Sequence, residues 1–306
     1  MIEQARTSEF QFEVDKTHDA ITNRLEIYTN AINGSRGFFD ASEEVNRQEW
    51  KSYVESLGLH KNYPGIQVLG YSAWIPADQL QGHISSIQEQ GFPEYTVRPV
   101  GIREQYTSIV FIEPFDDRNK QAFGFDMYQE ATRRHAMQRA RDTGEAALTA
   151  KVTLVQEIDE NVQAGFLIYV PVYTQGEAIA STEDRQRAIQ GFVYSPFRMN
   201  NFINGVLFSS TGEVEVEIFD GETDIFSEEK RMFGSAQQHE TPFVVTRVMQ
   251  FGGHAWTVRY SAANDYRLDL IRKTAEPVMF VGALILGVFF FLVLYGINTR
   301  REKAFI

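Results

Sequence analysis

The stretch VMFVGALILGVFFFLVLYGI, Val278 to Ile297, carries no charge anywhere along its length. A helix needs roughly 20 apolar residues to cross the hydrocarbon of a bilayer, and buried core helices seldom run that far without a polar break. The stretch therefore reads as a C-terminal transmembrane helix, with Pro277 at its edge, where a missing N–H costs a helix least. Arg300, Arg301 and Lys303 beyond it suit a cytoplasmic face, yet Arg267, Arg272 and Lys273 flank the other end, so charge alone leaves the orientation open. The opening MIEQARTSEF has no apolar region of a secretion signal. The expectation is a fragment, with an N-terminal anchor upstream and cytoplasmic machinery downstream; a tail-anchored cytosolic domain is the rival.

What precedes this run is rich enough in apolar area to fold. Its 24 Phe, 13 Tyr and 3 Trp argue against disorder. With 41 Asp+Glu against 29 Lys+Arg there is no surplus from which to build a basic face, so nucleic acid is not an expected partner. Zero Cys excludes disulfides, thiolate catalysis, iron–sulfur clusters and cysteine-based zinc sites. The six histidines show no metal-ligand spacing, and no Walker A loop, dinucleotide fingerprint, G-x-S-x-G elbow or kinase signature is present. No cofactor, metal or catalytic constellation is expected within residues 1–306.

Phe10, Val14, Ile21, Leu25, Tyr28, Ile32 and Phe39 recur with helical period and predict a long stalk helix. Gln11 and His18 interrupt the stripe, which leaves a dimeric coiled coil and packing onto the body as equal alternatives. Helices are predicted at Arg47–Leu59, from Pro76 to Gln90, and from Gln129 to Thr143, the last stopped by Gly144. Strands are predicted at Ile66–Ile75, Tyr95–Val100, Tyr106–Ile112, a short run ending at Asp126, Lys151–Gln156 and Gly165–Tyr173. After a loop at Gln175–Arg187 comes a second set: strand Gln190–Tyr194, helix Arg198–Leu207, strand Glu213–Asp220 and a hairpin from Pro242 to Tyr260 turning at Gly252-Gly253. Asn264 would cap a closing helix. Strands with helices grouped ahead of and between them argue α+β with antiparallel sheet. The expected organisation is a stalk helix (1–45), one α+β unit (46–174), a second (175–277), the transmembrane helix (278–297) and a juxtamembrane stub (298–306).

Five stretches, PGIQVLGYSAWIPA, YTSIVFIEPFDDRNKQAFGFD, RRHAMQRARDTGEAALTAKVTLVQE, GFLIYVPVY and GFVYSPF, follow one another between Tyr63 and about Leu207. In order and spacing this region resembles the CHASE domain, the extracytoplasmic sensor module of cytokinin-receptor histidine kinases and of many bacterial histidine kinases and diguanylate cyclases. The resemblance implies a membrane-distal and a membrane-proximal PAS-like unit and a transmembrane helix on each side. It also implies a small-molecule ligand in the distal unit, purine-like or another small metabolite, and a cytoplasmic output domain, with histidine kinase favoured and a cyclic-di-GMP enzyme the alternative. A homodimer is the expected assembly, since a signal must pass between paired helices. An adhesion ectodomain without a pocket, or an extracytoplasmic hydrolase, are the competing classes.

In the cytokinin-receptor branch an acidic residue in an Arg-acid-x-Tyr stretch bonds the purine. The matching run here is Arg103-Glu-Gln-Tyr106, so the resemblance makes Glu104 a ligand contact, with glutamate in place of aspartate. Alternation along the next strand sends Tyr106, Ser108 and Val110 to one face and Thr107, Ile109 and Phe111 to the other. The first face, with a phenol and a hydroxyl, is the expected pocket wall. Tyr71 and Trp74 would add an aromatic wall, with ordinary core the favoured role for Trp74. Asp126, in the family landmark Gly124-Phe-Asp126, would touch the ligand or cap a helix in a box with Gln129. Asp116, Asp117 and Asn119 read as turn chemistry rather than as a calcium loop.

Overall fold

A computed structural model describes residues 2–63, 66–155, 162–207, 214–234, 241–263 and 278–294. Helices α1 (Ile2–Asp40), α2 (Arg47–Leu57) and α3 (Leu59–Asn62) precede strand β1 (Leu69–Pro76), helix α4 (Leu80–Glu89) and strand β2 (Gln105–Glu113). Then follow α5 (Ala131–Thr143), β3 (Ala147–Leu148), β4 (Gly165–Tyr173), α6 (Thr182–Ala188), β5 (Ile189–Arg198) and α7 (Met199–Leu207). Strands β6 (Val214–Asp220), β7 (Arg231–Phe233), β8 (Val244–Phe251) and β9 (His254–Ala262) close the series. They form two antiparallel sheets, ordered β2-β1-β5-β4-β3 and β7-β6-β9-β8.

The periodic stripe of α1 is buried from Phe10 to Phe39 and packs on β4, β5 and α7 of its own chain. Tyr28 stacks on Phe197 at 5.6 Å and Phe39 on Tyr71 at 4.4 Å. The polar interruption His18 shares a 2.9 Å hydrogen bond with the Tyr260 hydroxyl. Of the two alternatives open from the sequence, the stripe thus serves packing onto the body, and α1 turns Phe12 and Ile27 outward. On the other side of the five-stranded sheet, Ala136, Met137 and Ala140 of α5 pack against Tyr169, Phe192 and Tyr194. Covered on both sides, β4 is buried almost continuously, whereas β8, an edge strand, alternates exposed and half-buried residues.

Several elements stand where the sequence placed them: α1, α2, α5 ending at Gly144, α7, and the β8–β9 hairpin. That hairpin turns on Gly252 and Gly253 with φ of 54° and 68°, and a Cβ at Gly252 would meet the Leu148 nitrogen at 2.6 Å. Other readings are corrected. Tyr95–Val100 and the run ending at Asp126 are not strands: they meet through one bridge, Arg98 to Phe125, and Asp126 makes another to Ser108 of β2. Pro99 has no N–H with which to continue such a ladder. Around Lys151, Val152 makes one bridge to Gly165, and the strand pairing with β4 lies earlier, at Ala147–Leu148.

Strand Gln190–Tyr194, read as the start of the second set, lies within β5 at the centre of the first sheet, between β1 and β4. The polar loop before it, with α6, is a surface connection between two strands of one sheet; surface loops and unit boundaries share that composition. The ends of three readings lie outside the described residues: Pro64-Gly65, Gln156 and Glu213.

The chain divides into two compact units, Met1–Ser261 and Ala262–Ile306. In the second, residues 278–294 are helical and their large apolar side chains are exposed. Among the described residues no helix is both long and apolar enough to cross a membrane. The remainder of the predicted span, 295–297, lies outside them, as do Asn264, Pro277, both flanking basic groups and the 298–306 stub.

Candidate functional site

A β-bulge divides the residues singled out from the sequence. Tyr71 pairs with Phe111 but Ser72 with Ile109, so Val110 is the extra residue and the alternation of β2 changes phase there. Ser72, Trp74, Thr107 and Ile109 therefore share the sheet face that α5 covers. Tyr71, Tyr106, Ser108 and Phe111 belong to the opposite face. The expected grouping of Tyr106, Ser108 and Val110 against Thr107, Ile109 and Phe111 fails at the bulge, and Trp74 is separated from Tyr71.

Beyond the outer edge of β2, where it bridges Ser108, Asp126 has no solvent exposure. Gly124 positions it: φ is 82°, and a Cβ there would strike the Thr96 carbonyl at 2.3 Å, so this backbone run passes too close for any other residue. Asp126 Oδ1 accepts from the Thr107 N–H at 2.9 Å, from the Tyr128 N–H at 3.1 Å and from the Thr107 hydroxyl at 3.4 Å. It caps the 3-10 turn Met127–Gln129, whereas α5 itself is capped by Glu130, which accepts from the Thr132 and Arg133 N–H groups. The anticipated capping box with Gln129 is thereby replaced by two successive caps.

The other oxygen, Oδ2, has no hydrogen-bond partner. Arg103 Nη1 stands 3.3 Å away as an ion-pair neighbour without hydrogen-bond geometry. Burial raises the Asp126 carboxyl above the usual carboxylate range, against the pull of the Thr107 and Tyr128 donors and the Arg103 charge.

On the face toward α5 two more buried polar atoms make no hydrogen bond: the hydroxyls of Ser72 and Tyr194. Tyr194 lies opposite Gly70, two residues from Ser72 on β1, and burial pushes its phenol well above the ordinary range. Trp74 meets Tyr128 edge-on at 5.0 Å and Phe192 at 6.3 Å. An apolar, aromatic layer with a carboxylate oxygen and two hydroxyls left open can accept N–H donors or a cation and supply O–H donors in return.

Across the sheet the polar groups are satisfied. The Tyr106 hydroxyl donates to the Gly101 carbonyl at 2.7 Å and accepts from the Arg103 N–H at 3.0 Å. Ser108 Oγ lies 2.6 Å from the Tyr95 hydroxyl, which lies 2.9 Å from His83 Nε2. Burial lowers His83 to about 4 and pushes Tyr95 up to about 12. The Tyr71 hydroxyl donates to the Gln190 carbonyl at 3.0 Å. Glu104 is exposed, and its main-chain oxygen accepts from the Ala77 N–H. In the loop once compared with a calcium site, Asp116 accepts from the Asn119 N–H, the turn chemistry expected of it.

Sequence reasoning missed Thr107, Ser72 and Tyr194, and the pairing of Arg103 with Asp126. Ser72 and Tyr194 stand in the motif stretches, and Thr107 falls on the face opposite the expected pocket wall. Nothing in an alternation pattern marks a bulge in advance.

The CHASE domain family model matches residues 43–232. A relative from Dictyostelium discoideum, the hybrid signal transduction histidine kinase A, is 24% identical over 183 residues, covering 52% of this chain. The chain spans 8% of that relative's length. With more than half its length matched, this chain belongs to the CHASE domain family.

Proposed function

We propose that the chain is the extracytoplasmic ligand-sensing module of a membrane-anchored signalling receptor whose output domain is a histidine kinase. One observation carries the ligand-binding part. Ser72 Oγ and the Tyr194 hydroxyl on the α5 face, and Asp126 Oδ2 at the edge of β2 beside Thr107, are buried without hydrogen bonds, Asp126 Oδ2 having the Arg103 guanidinium as its ion-pair neighbour. Leaving a buried polar group without a hydrogen bond costs about 1–3 kcal/mol, so three such groups favour a ligand that completes them. The proposed ligand is a small molecule with N–H donors or a positive charge, the class that includes purine-type cytokinins. Because β5 is central to this sheet, the sensing unit extends beyond 46–174 to include it. The kinase output is supported by the name of the Dictyostelium relative.

The proposed anchor is Val278–Ile297, supported by the uncharged sequence and by the exposed apolar side chains of helix 278–294. Signalling then requires only that the ligand bind two arrangements of the module with different affinity. A homodimer fits this role, and the face of α1 open to a second copy carries Phe12 and Ile27, because Leu25 and Tyr28 are buried. Cysteine at Ile27 should crosslink two copies and cysteine at Leu25 should not; no crosslink at Phe12 or Ile27 would count against the dimer.

The ligand reading is tested by thermal-shift screening of the full chain against purine-type cytokinins, other nucleobase derivatives, and small organic amines and acids. A compound at about 100 times its Kd should stabilise by about 2.7 kcal/mol. The response should vanish in Asp126→Asn. Glu104→Ala reports whether the exposed carboxylate beside Arg103 contributes. A response untouched by Asp126→Asn would move the site elsewhere.

A further inference from the structure

The opposite side of the sheet holds a second anomaly, independent of the site just described. Arg47, the first residue of α2, carries its guanidinium into a box of four phenylalanine rings. Its central carbon lies 4.4 Å from the ring centre of Phe92, 5.0 Å from Phe123, 5.4 Å from Phe111 and 5.6 Å from Phe115. Three of these rings stand steeply to one another: Phe92 to Phe115 at 90°, Phe115 to Phe123 at 82° and Phe92 to Phe123 at 59°. They form walls rather than a stack. Nε, Nη1 and Nη2 of Arg47 are all buried, and none makes a hydrogen bond. The neighbouring carboxylate, Glu113, accepts from the Phe115 N–H at 3.2 Å instead.

The chemistry of this box does not suit its occupant. A guanidinium brings five N–H donors, and π faces satisfy its charge but not its donors. Burial without acceptors costs free energy and depresses the Arg47 pKa from its usual value. A cation that has no N–H at all forgoes no hydrogen bond in such a place; quaternary ammonium groups are held by aromatic walls in this way. The rim is within reach of solvent, since Arg47, Phe92, Phe115 and Phe123 are each only half-buried as residues.

We infer that the box formed by Phe92, Phe111, Phe115 and Phe123 is a binding site for a quaternary ammonium group, occupied in this state by Arg47 as an internal plug that such a ligand displaces. Displacement would release the first turn of α2, the helix that follows α1, from the loop carrying Phe115 and Phe123.

The test uses calorimetric titration of the full chain with choline and with 3,3-dimethyl-1-butanol, its uncharged isostere. Wild type should bind choline weakly, because the plug must leave first and apparent affinity falls with the fraction of open sites. Arg47→Ala should bind choline at least about tenfold more tightly, and choline should raise its melting temperature more than the isostere does. Phe123→Ala in the Arg47→Ala background should abolish the binding. Should Arg47→Ala fail to fold, Arg47→Gln, which keeps part of the stem and drops the charge, carries the same comparison. Equal binding of choline and its isostere, or no gain in affinity when Arg47 is replaced, would overturn the proposal.

Discussion

Two buried carboxylates, one near each sheet, are treated in opposite ways. Glu217 on β6 is bonded through Oε1 by Arg231, while Arg259 Nη1 reaches Oε2 at 3.4 Å, and Arg231 is itself held by Glu228 at 2.9 Å. Asp126, beside the five-stranded sheet, is more deeply buried, and its Oδ2 has the Arg103 guanidinium 3.3 Å away as an ion-pair neighbour but accepts no hydrogen bond. A carboxylate neutralised on both oxygens is a structural element, whose removal strands its partners. One oxygen left without a hydrogen bond in a buried site has room in its bonding for a further donor. On the reading proposed above, the difference separates a scaffold sheet from the sheet that takes the ligand.

The largest expected effect falls on the scaffold side. Glu217→Ala leaves the half-buried guanidiniums of Arg231 and Arg259 without their shared anion, Arg231 keeping only Glu228, and should cost about 3–5 kcal/mol in urea unfolding. A loss below about 1 kcal/mol would erase the contrast.

Next comes His83, which marks the satisfied face of the five-stranded sheet. Burial holds it near 4 in the folded chain, so below pH 6.5 the unfolded chain takes up a proton that the folded one refuses. Stability should therefore fall as pH drops from 6.5 to about 4, by up to about 3 kcal/mol, and Gln at this position should flatten that part of the profile.

The smallest effect on stability should be that of Asp126→Asn, within about 1 kcal/mol at neutral pH, because an amide oxygen keeps the Thr107 and Tyr128 bonds. Its sign depends on pH. The folded chain holds the Asp126 proton more tightly than the unfolded chain does, so that contribution is full below about pH 4 and is lost as pH rises through the raised value. Relative to Asp126→Asn, wild type should lose stability with rising pH; the reverse trend in paired denaturation profiles would show a fully compensated carboxylate.

The helices and the hairpin were legible because their signals are local. The α1 stripe needs only the 3.6-residue period, and the β8–β9 turn needs only two adjacent glycines. The place of β5 was not legible, since nothing in Ile189–Arg198 states which sheet it joins; that choice rests on pairing with β1 and β4, distant in sequence. The site was half legible for the same reason. Asp126 and Trp74 could be named from motif stretches, but their company could not, because one inserted residue, Val110, exchanges the faces of β2. The Thr107 side chain then meets Asp126, while those of Tyr106 and Ser108 point to the other face.

The central claim is that the layer between the five-stranded sheet and α5 receives the ligand. It is tested most directly by a crystal structure of the chain bound to the compound that gives the largest thermal shift. The account predicts that molecule on the α5 face, beside Trp74, donating to Asp126 Oδ2. The compound seated elsewhere, with Asp126 Oδ2, Ser72 and Tyr194 still unpartnered or closed by protein groups alone, would contradict it.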